Sequence, residues 1–189
     1  MKDEFNSLQN HFLIAMPLLN DFNFAHAVVY VCAHSADGAM GIVVNRPIID
    51  VNLGEVMTQM EIDVKNDLIK NLPVFLGGPI QPERGFIIHR PNEPWQSTLI
   101  TSPELAVTSS QDILHALANG KGPTDFIVIL GYAGWGSGQL EEEVANNYWL
   151  TTPCDADILF KTPSDKRWGA AAALLGFDIS NISSETGHA

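Results

Sequence analysis

Short apolar runs closed by proline or glycine set the rhythm of this chain. His11 to Met16 is apolar, brief and stopped by Pro17, which reads as a buried strand. Ala27 to Cys32 is rich in β-branched and aromatic residues. Ser35-Ala36-Asp37-Gly38 follows, where Asp-Gly permits a tight reversal, and Ala39 to Asn45 returns as the second arm of a hairpin. Pro73 to Leu76 and Gly85 to His89 read as two further strands, which places Gly77-Gly78-Pro79 and Arg84 in the connection between them. Ser97 to Thr101 and Leu105 to Thr108 are weaker strand candidates. Asp125 to Leu130 is the most hydrophobic strand and runs into a glycine-rich loop, Gly131 to Gly138. Tyr148 to Thr151 and Asp157 to Phe160 read as extended.

Helical spacing appears between these runs. Leu53 to Met60 is predicted as a helix capped by Asn52, with Glu55 three residues on to close a capping box. A second covers Ser110 to Asn119, capped by Ser109 and ended by Gly120 and Gly122. A third covers Gln139 to Asn147, with Glu141, Glu142 and Glu143 at its acid-favouring start. In the last, Thr162 caps, Pro163 takes the first position, Asp165 closes the box and Gly176 ends it. Asp63 to Asn71 is polar and assigns no element. Residues 1–10 are predicted flexible, 11–177 form one domain, and 178–189 form a polar tail. Strands in antiparallel-looking pairs with helices inserted, and no regular strand–helix alternation, predict an α+β fold.

Charge narrows the function classes. The 189 residues include 22 acids and 10 Lys or Arg, a net charge of −12. Such a chain has no general attraction for polyphosphate, so direct nucleic-acid binding is not expected. Cys32 and Cys154, the two cysteines, make no disulfide framework. The acidic start Met1-Lys2-Asp3-Glu4 is unlike a signal peptide, and no apolar run reaches the roughly 18 residues of a membrane helix. These features predict a cytoplasmic protein with reduced thiols and no membrane association.

Candidate chemistry is sparse. A strand, a glycine loop and a helix resemble a phosphate cradle, but no Lys follows the glycines and three glutamates crowd the helix start. The loop reads either as a sharp turn packed by its aromatics or as a pocket wall. As a wall it would present Tyr132, Trp135 and Gln139 to a neutral or cationic small ligand. Cys32 and His34 share a strand face by two-residue spacing, as two metal ligands or a thiol–imidazole pair would. Two ligands are not a site, and His89 joins them only if its strand is a neighbour. Ser137 lacks the small neighbours a nucleophile elbow needs. Arg46, Arg84 and Arg90 lie near strand ends, and two of them converging would make a small anion site.

Several of these segments together resemble one known family. His11-Phe12-Leu13-Ile14-Ala15-Met16-Pro17, Gly38-Ala39-Met40-Gly41, Asn45-Arg46-Pro47 and Gly77-Gly78-Pro79 are similar to motifs of the bacterial YqgE/AlgH proteins. So are Arg84-Gly85-Phe86, His89, Leu130 to Trp135, Gly138-Gln139-Leu140-Glu141, Asn146, Trp149-Leu150 and the ending Gly187-His188-Ala189. The resemblance implies a compact, single-domain α+β fold: a bifurcated, mostly antiparallel sheet with a small barrel, surrounded by helices, in a bacterial cytoplasmic protein. The family carries a label as a transcriptional regulator, of alginate synthesis in one branch, without an established activity, so it transfers no catalytic residue, metal or cofactor. An acidic chain without a recognition-helix pattern would regulate indirectly, through a protein partner or a sensed ligand.

Three functions follow for test. The first is a non-enzymatic binding or regulatory module, whose site gathers Asn45 and Arg46, the Gly77, Gly78 and Arg84 segment, His89, and the Tyr132, Trp135, Gln139 and Glu141 segment. The second is a small-substrate enzyme using His89, His34 or Glu141 in acid–base work. The third is direct DNA binding. The ligand, the partner and the oligomeric state are left open by the residues.

Overall fold

A computed structural model describes residues 5–17, 19–176 and 178–181. Met1 to Glu4 and the Gly187-His188-Ala189 ending lie outside the described residues. Ten strands and six α-helices follow one another as β1 (His11–Ala15), β2 (Val28–Ser35), β3 (Gly38–Val43), β4 (Pro47–Asn52), α1 (Leu53–Gln59), α2 (Asp67–Lys70), β5 (Pro73–Leu76) and β6 (Ile80–His89). Then come β7 (Thr98–Ile100), β8 (Ala106–Thr108), α3 (Asp112–Ala118), β9 (Phe126–Gly136), α4 (Gln139–Ala145), β10 (Trp149–Pro153), α5 (Ala156–Lys161) and α6 (Arg167–Ala173). No helix among the described residues is long and apolar enough to cross a membrane.

The main path of the sheet runs β10-β1-β2-β3-β9-β6-β8-β7, all antiparallel, and curls into a half-barrel. β9 is the fork. Its first half pairs with β6 and, in parallel, with β5, whereas its second half pairs with β3. Each side chain of β9 therefore serves one of three cores. Ile127 and Ile129 join the inner core with Phe12, Tyr30, Ile42 and Phe86. Val128 faces an outer core under α1 and α3, with Met57, Ile113 and Leu117. Ala133 and Trp135 face a second outer core under α4, with Val29, Leu140 and Trp149. The inner cluster lies inside the curl. The Tyr30 hydroxyl of β2 reaches Thr101, just past β7, at 2.5 Å, although β2 and β7 are far apart in the strand order.

The glycine-rich segment after Leu130 is strand as far as Gly136, not a loop. The reason is a phase slip. Leu130 packs toward the outer core and Tyr132 packs toward the inner one, where strict alternation would put them on the same face. Gly131 absorbs the slip with φ +77, as a bulge glycine does. Gly77 and Gly78 press against this point. A Cβ on Gly77 would lie 2.3 Å from the Gly131 carbonyl oxygen, and one on Gly78 would lie 2.3 Å from that of Tyr132. The backbone of Gly77 then links the two branches: its N–H donates to the Leu130 carbonyl at 2.7 Å and its carbonyl accepts from Val43 at 2.8 Å.

Other local expectations hold or shift for identifiable reasons. The capping box of Asn52 and Glu55 forms, and α1 buries Leu53 and Met57. Strand β6 begins at Ile80, so Arg84 lies in a strand rather than a connection. The ladder to β9 jumps from Ile80↔Tyr132 to Gly85↔Leu130, leaving residues 81–84 as a wide bulge. Asp157 to Phe160 is helical. Asp155 accepts from the Asp157 N–H and caps α5, and a short apolar run alone cannot tell helix from strand. Thr162 ends α5 instead of capping the next helix, which opens with a 3-10 turn at Ser164–Lys166. Ser109 caps nothing: its hydroxyl and N–H are taken by Ser97, and α3 starts at Asp112. Strand β4 and the one-turn α2 carry no apolar period that reveals them from sequence.

One buried cation ties α6 to the inner core. The Arg167 guanidinium donates to the Val44 and Thr162 carbonyls and lies 5.1 Å over the Phe75 ring. Burial pushes its pKa down to about 10.

Candidate functional site

The inner core is left unfilled at one margin of the half-barrel. Met40 of β3, Phe86 of β6, Leu99 of β7 and Val107 of β8 form the apolar walls of a cavity of about 290 Å³. Arg84, Ser97, Thr98, Ser109 and Tyr132 are the polar residues of its lining, and Cys32 also lines it. Two-residue periodicity explains the grouping. Arg84 and Phe86, Ser97 and Leu99, and Val107 and Ser109 are each two apart on their strands or at their ends. The curl brings the far strands β2 and β7 to the same space.

Arg84 is the sole charged residue of the lining. Its guanidinium lies 5.2 Å over the Phe86 ring and its Nη1 donates to Gln81 Oε1 at 3.4 Å. Among the described residues it forms no ion pair. Gln81 carries a left-handed φ of +46 in the bulge that sets Arg84 at the mouth. The Ser97 and Ser109 hydroxyls lie 3.1 Å apart. The Tyr132 ring meets Phe86 edge-on, with centroids 5.8 Å apart. Burial pushes the Cys32 thiol up to about 12, so it stays protonated and adds no negative charge to the lining. Four other clefts in the described residues each carry carboxylates: Glu55, Glu61 and Asp63 along α1, Glu83 beside α3, Asp37 at the β2–β3 turn, and Asp50 on β4.

The residues singled out from sequence fall into separate places. Arg84 and Tyr132 meet at this cavity. Asn45 and Arg46 do not join them: the Asn45 side chain bonds Val28 N–H and the His26 carbonyl, and the Arg46 guanidinium donates to the carbonyls of Phe22, Asn23 and Ala25. Gly77 and Gly78 build the fork of the sheet. Trp135 belongs to the outer core, where its indole N–H and that of Trp149 both donate to Glu143 at 2.8 Å, and Gln139 donates to the same carboxylate at 3.0 Å. The three arginines considered for an anion site share no partner, since Arg90 is paired with Asp125, Asp157 and Glu104.

His34 and Cys32 do not share a face. A bulge between Val31 and Ala33 reverses the alternation, leaving Cys32 in the inner core and His34 outside it. His34 Nδ1 accepts from the Leu8 N–H at 2.9 Å, which fixes the proton on Nε2, and Nε2 then donates to Glu141 at 3.1 Å. Both ring nitrogens are thus engaged, and Ser7 and Gln9 dock the preceding segment onto the same strand end. His89 is fully buried, on a strand that does not neighbour β2. Its Nδ1–H donates to the Arg90 carbonyl and its Nε2 accepts from Thr108, each at 2.8 Å.

Sequence reasoning passes over Ser97, Ser109, Leu99 and Val107. They lie on short strands of ordinary composition, and only the pairing Thr98↔Thr108 sets them side by side. Glu143 is likewise legible only as a helix-start acid.

Comparison with known proteins covers almost the whole chain. A family model described as AlgH-like matches residues 12–180. A UPF0301 protein of Methylococcus capsulatus is 53% identical over 188 residues, covering 100% of both chains. One of Hahella chejuensis is 46% identical over 189 residues, again with 100% coverage of both. Among solved structures, the AlgH protein from Pseudomonas aeruginosa superimposes with a TM-score of 0.79 at 45% identity over 100% of each chain. A Corynebacterium diphtheriae protein shares the fold alone, with a TM-score of 0.73 at 17% identity, covering 96% of this chain and 94% of that one.

Proposed function

This chain belongs to the AlgH-like family, and from that premise we propose that it is a binding module with a regulatory role, taking a small ligand into the half-barrel cavity and passing the bound state to a protein partner. One observation carries the reading. In a chain of net charge −12, the cavity inside the curl has a single charged lining residue, and it is a cation without a counter-ion among the described residues. A guanidinium left unpaired among so many acids is available to a ligand. Apolar walls with a few convergent polar groups are the usual make-up of a small-molecule site.

The enzymatic alternative has less to support it. His34 has both nitrogens occupied by protein groups, and His89 is sealed within the sheet. A general base needs a free lone pair facing substrate. Any effect on transcription runs through the partner, because the acidic chain repels the DNA backbone.

The test is a fragment screen followed on the backbone amides of the isotope-labelled full chain. Ligands are expected to move the resonances of Leu99, Val107, Ser109 and Tyr132 together. Hits that gather instead around His34 and Glu141, or no hits at all, would overturn the reading.

A further inference from the structure

We propose that the half-barrel cavity is a carboxylate site: it takes a small monocarboxylic acid, with the carboxylate at Arg84 and the apolar body against Met40, Phe86, Leu99 and Val107. The inference rests on the reading of this cavity as a binding site and adds the class of ligand.

The head group is set by the polar atoms at the mouth. Arg84 offers a planar fork of N–H donors, which matches the two oxygens of a carboxylate. Arg84 is exposed, its guanidinium stacks 5.2 Å over the ring of Phe86, itself a wall residue, and its bond to Gln81 is long, at 3.4 Å. Of the Ser97 and Ser109 hydroxyls, 3.1 Å apart, one donates its proton to the other. The remaining hydroxyl proton is free to donate to a ligand oxygen. Tyr132 of β9 also lines the cavity. A phosphate would need more. Dianionic phosphate sites gather several backbone N–H groups or a second cation, and this lining has one arginine and no lysine.

The body is set by the walls and the volume. About 290 Å³ lies at the small end of ligand sites, enough for an aryl or short alkyl chain and too little for a dinucleotide. Leu99 is 44% exposed, apolar surface that a bound chain would cover. The protonated Cys32 thiol presents no charge to an apolar group. The strained φ of +46 at Gln81 fits this assignment, since backbone strain of this kind clusters where a side chain must be aimed.

The experiment titrates the full-length protein with phenylacetate, hexanoate, phenylacetamide and inorganic phosphate, following the amides of Leu99, Val107, Ser109 and Tyr132. Phenylacetate or hexanoate should bind there, phenylacetamide about tenfold or more weakly, and phosphate should not displace them. Arg84→Gln should lose about tenfold or more in carboxylate affinity, with Arg84→Lys intermediate and the melting temperature of both close to the parent. Should the acid and the amide bind this cavity equally, or Arg84→Gln bind phenylacetate as well as the parent, the carboxylate assignment falls while the binding site stands. Equal competition by phosphate also removes the assignment. If none of the four probes perturbs the cavity up to their solubility, the assignment falls, and the fragment screen alone then decides whether the site does.

Discussion

At the scale of single residues, several polar side chains that the sequence singles out are held by complementary groups rather than left for chemistry. Glu143 accepts from two indoles and an amide, so the acid that marks a helix start in sequence is a clasp between α4 and the sheet. Arg46 and Arg167 spend their guanidinium protons on backbone carbonyls. Arg84 differs: it donates to no backbone carbonyl among the described residues, its bond to the Gln81 side chain is long at 3.4 Å, and that difference is what singles it out. His89 shows the cost of a sealed group. Burial pushes its pKa below the usual 6.5, opposed by its bond to the Arg90 carbonyl. The folded chain therefore keeps His89 neutral while the unfolded chain takes up a proton as pH falls through about 6.5. Its stabilising contribution is full above that pH and is lost as the pH falls further, toward the lower folded value. Thermal melts from about pH 7.5 to about pH 5.5 should show this loss, and His89→Gln, though less stable throughout, should show a shallower fall. Parallel slopes for the two proteins would refute the assignment.

At the scale of elements, the decisive feature is the fork of β9. Glycine after a strongly hydrophobic strand reads as a loop, because glycine is poor in strands. Here the glycines serve a strand that changes partners and phase, where three backbones approach too closely for a Cβ. Two substitutions separate close approach from backbone freedom. Gly78→Ala, at φ +153 with its Cβ 2.3 Å from the Tyr132 carbonyl oxygen, should cost upward of about 2 kcal/mol. Gly138→Ala, at φ +73 with nothing within 4 Å, should cost about 1 kcal/mol. Urea denaturation with unchanged m-values would measure both, and equal losses would contradict the close-packed fork. Helix signals fared unevenly for a related reason. The Asn52–Glu55 box is local, so it forms as read. Ser109 and Thr162 had the right residue type, but β7 claims the first and the end of α5 the second.

At the scale of the whole molecule, charge and curvature divide the labour. The net charge of −12 acts at long range and opposes nucleic acid. Filter binding of duplex DNA at low salt should show no retention, and salt-sensitive retention would reverse that conclusion. Curvature makes the cavity, since it brings β2 and β7 to one space although the strand order separates them. The chain by itself determined the α+β class, most strands, the box on α1, the acidity and, through its motifs, the family, because each depends on neighbours in sequence or on composition. It also pointed to Arg84 and Tyr132. Only the tertiary structure decided that these two meet while Arg46, Trp135, His34 and His89 do not. Bulges at Cys32, Gln81 and Gly131 shift the facing of every residue that follows, and the energy that places a bulge comes from strands distant in sequence.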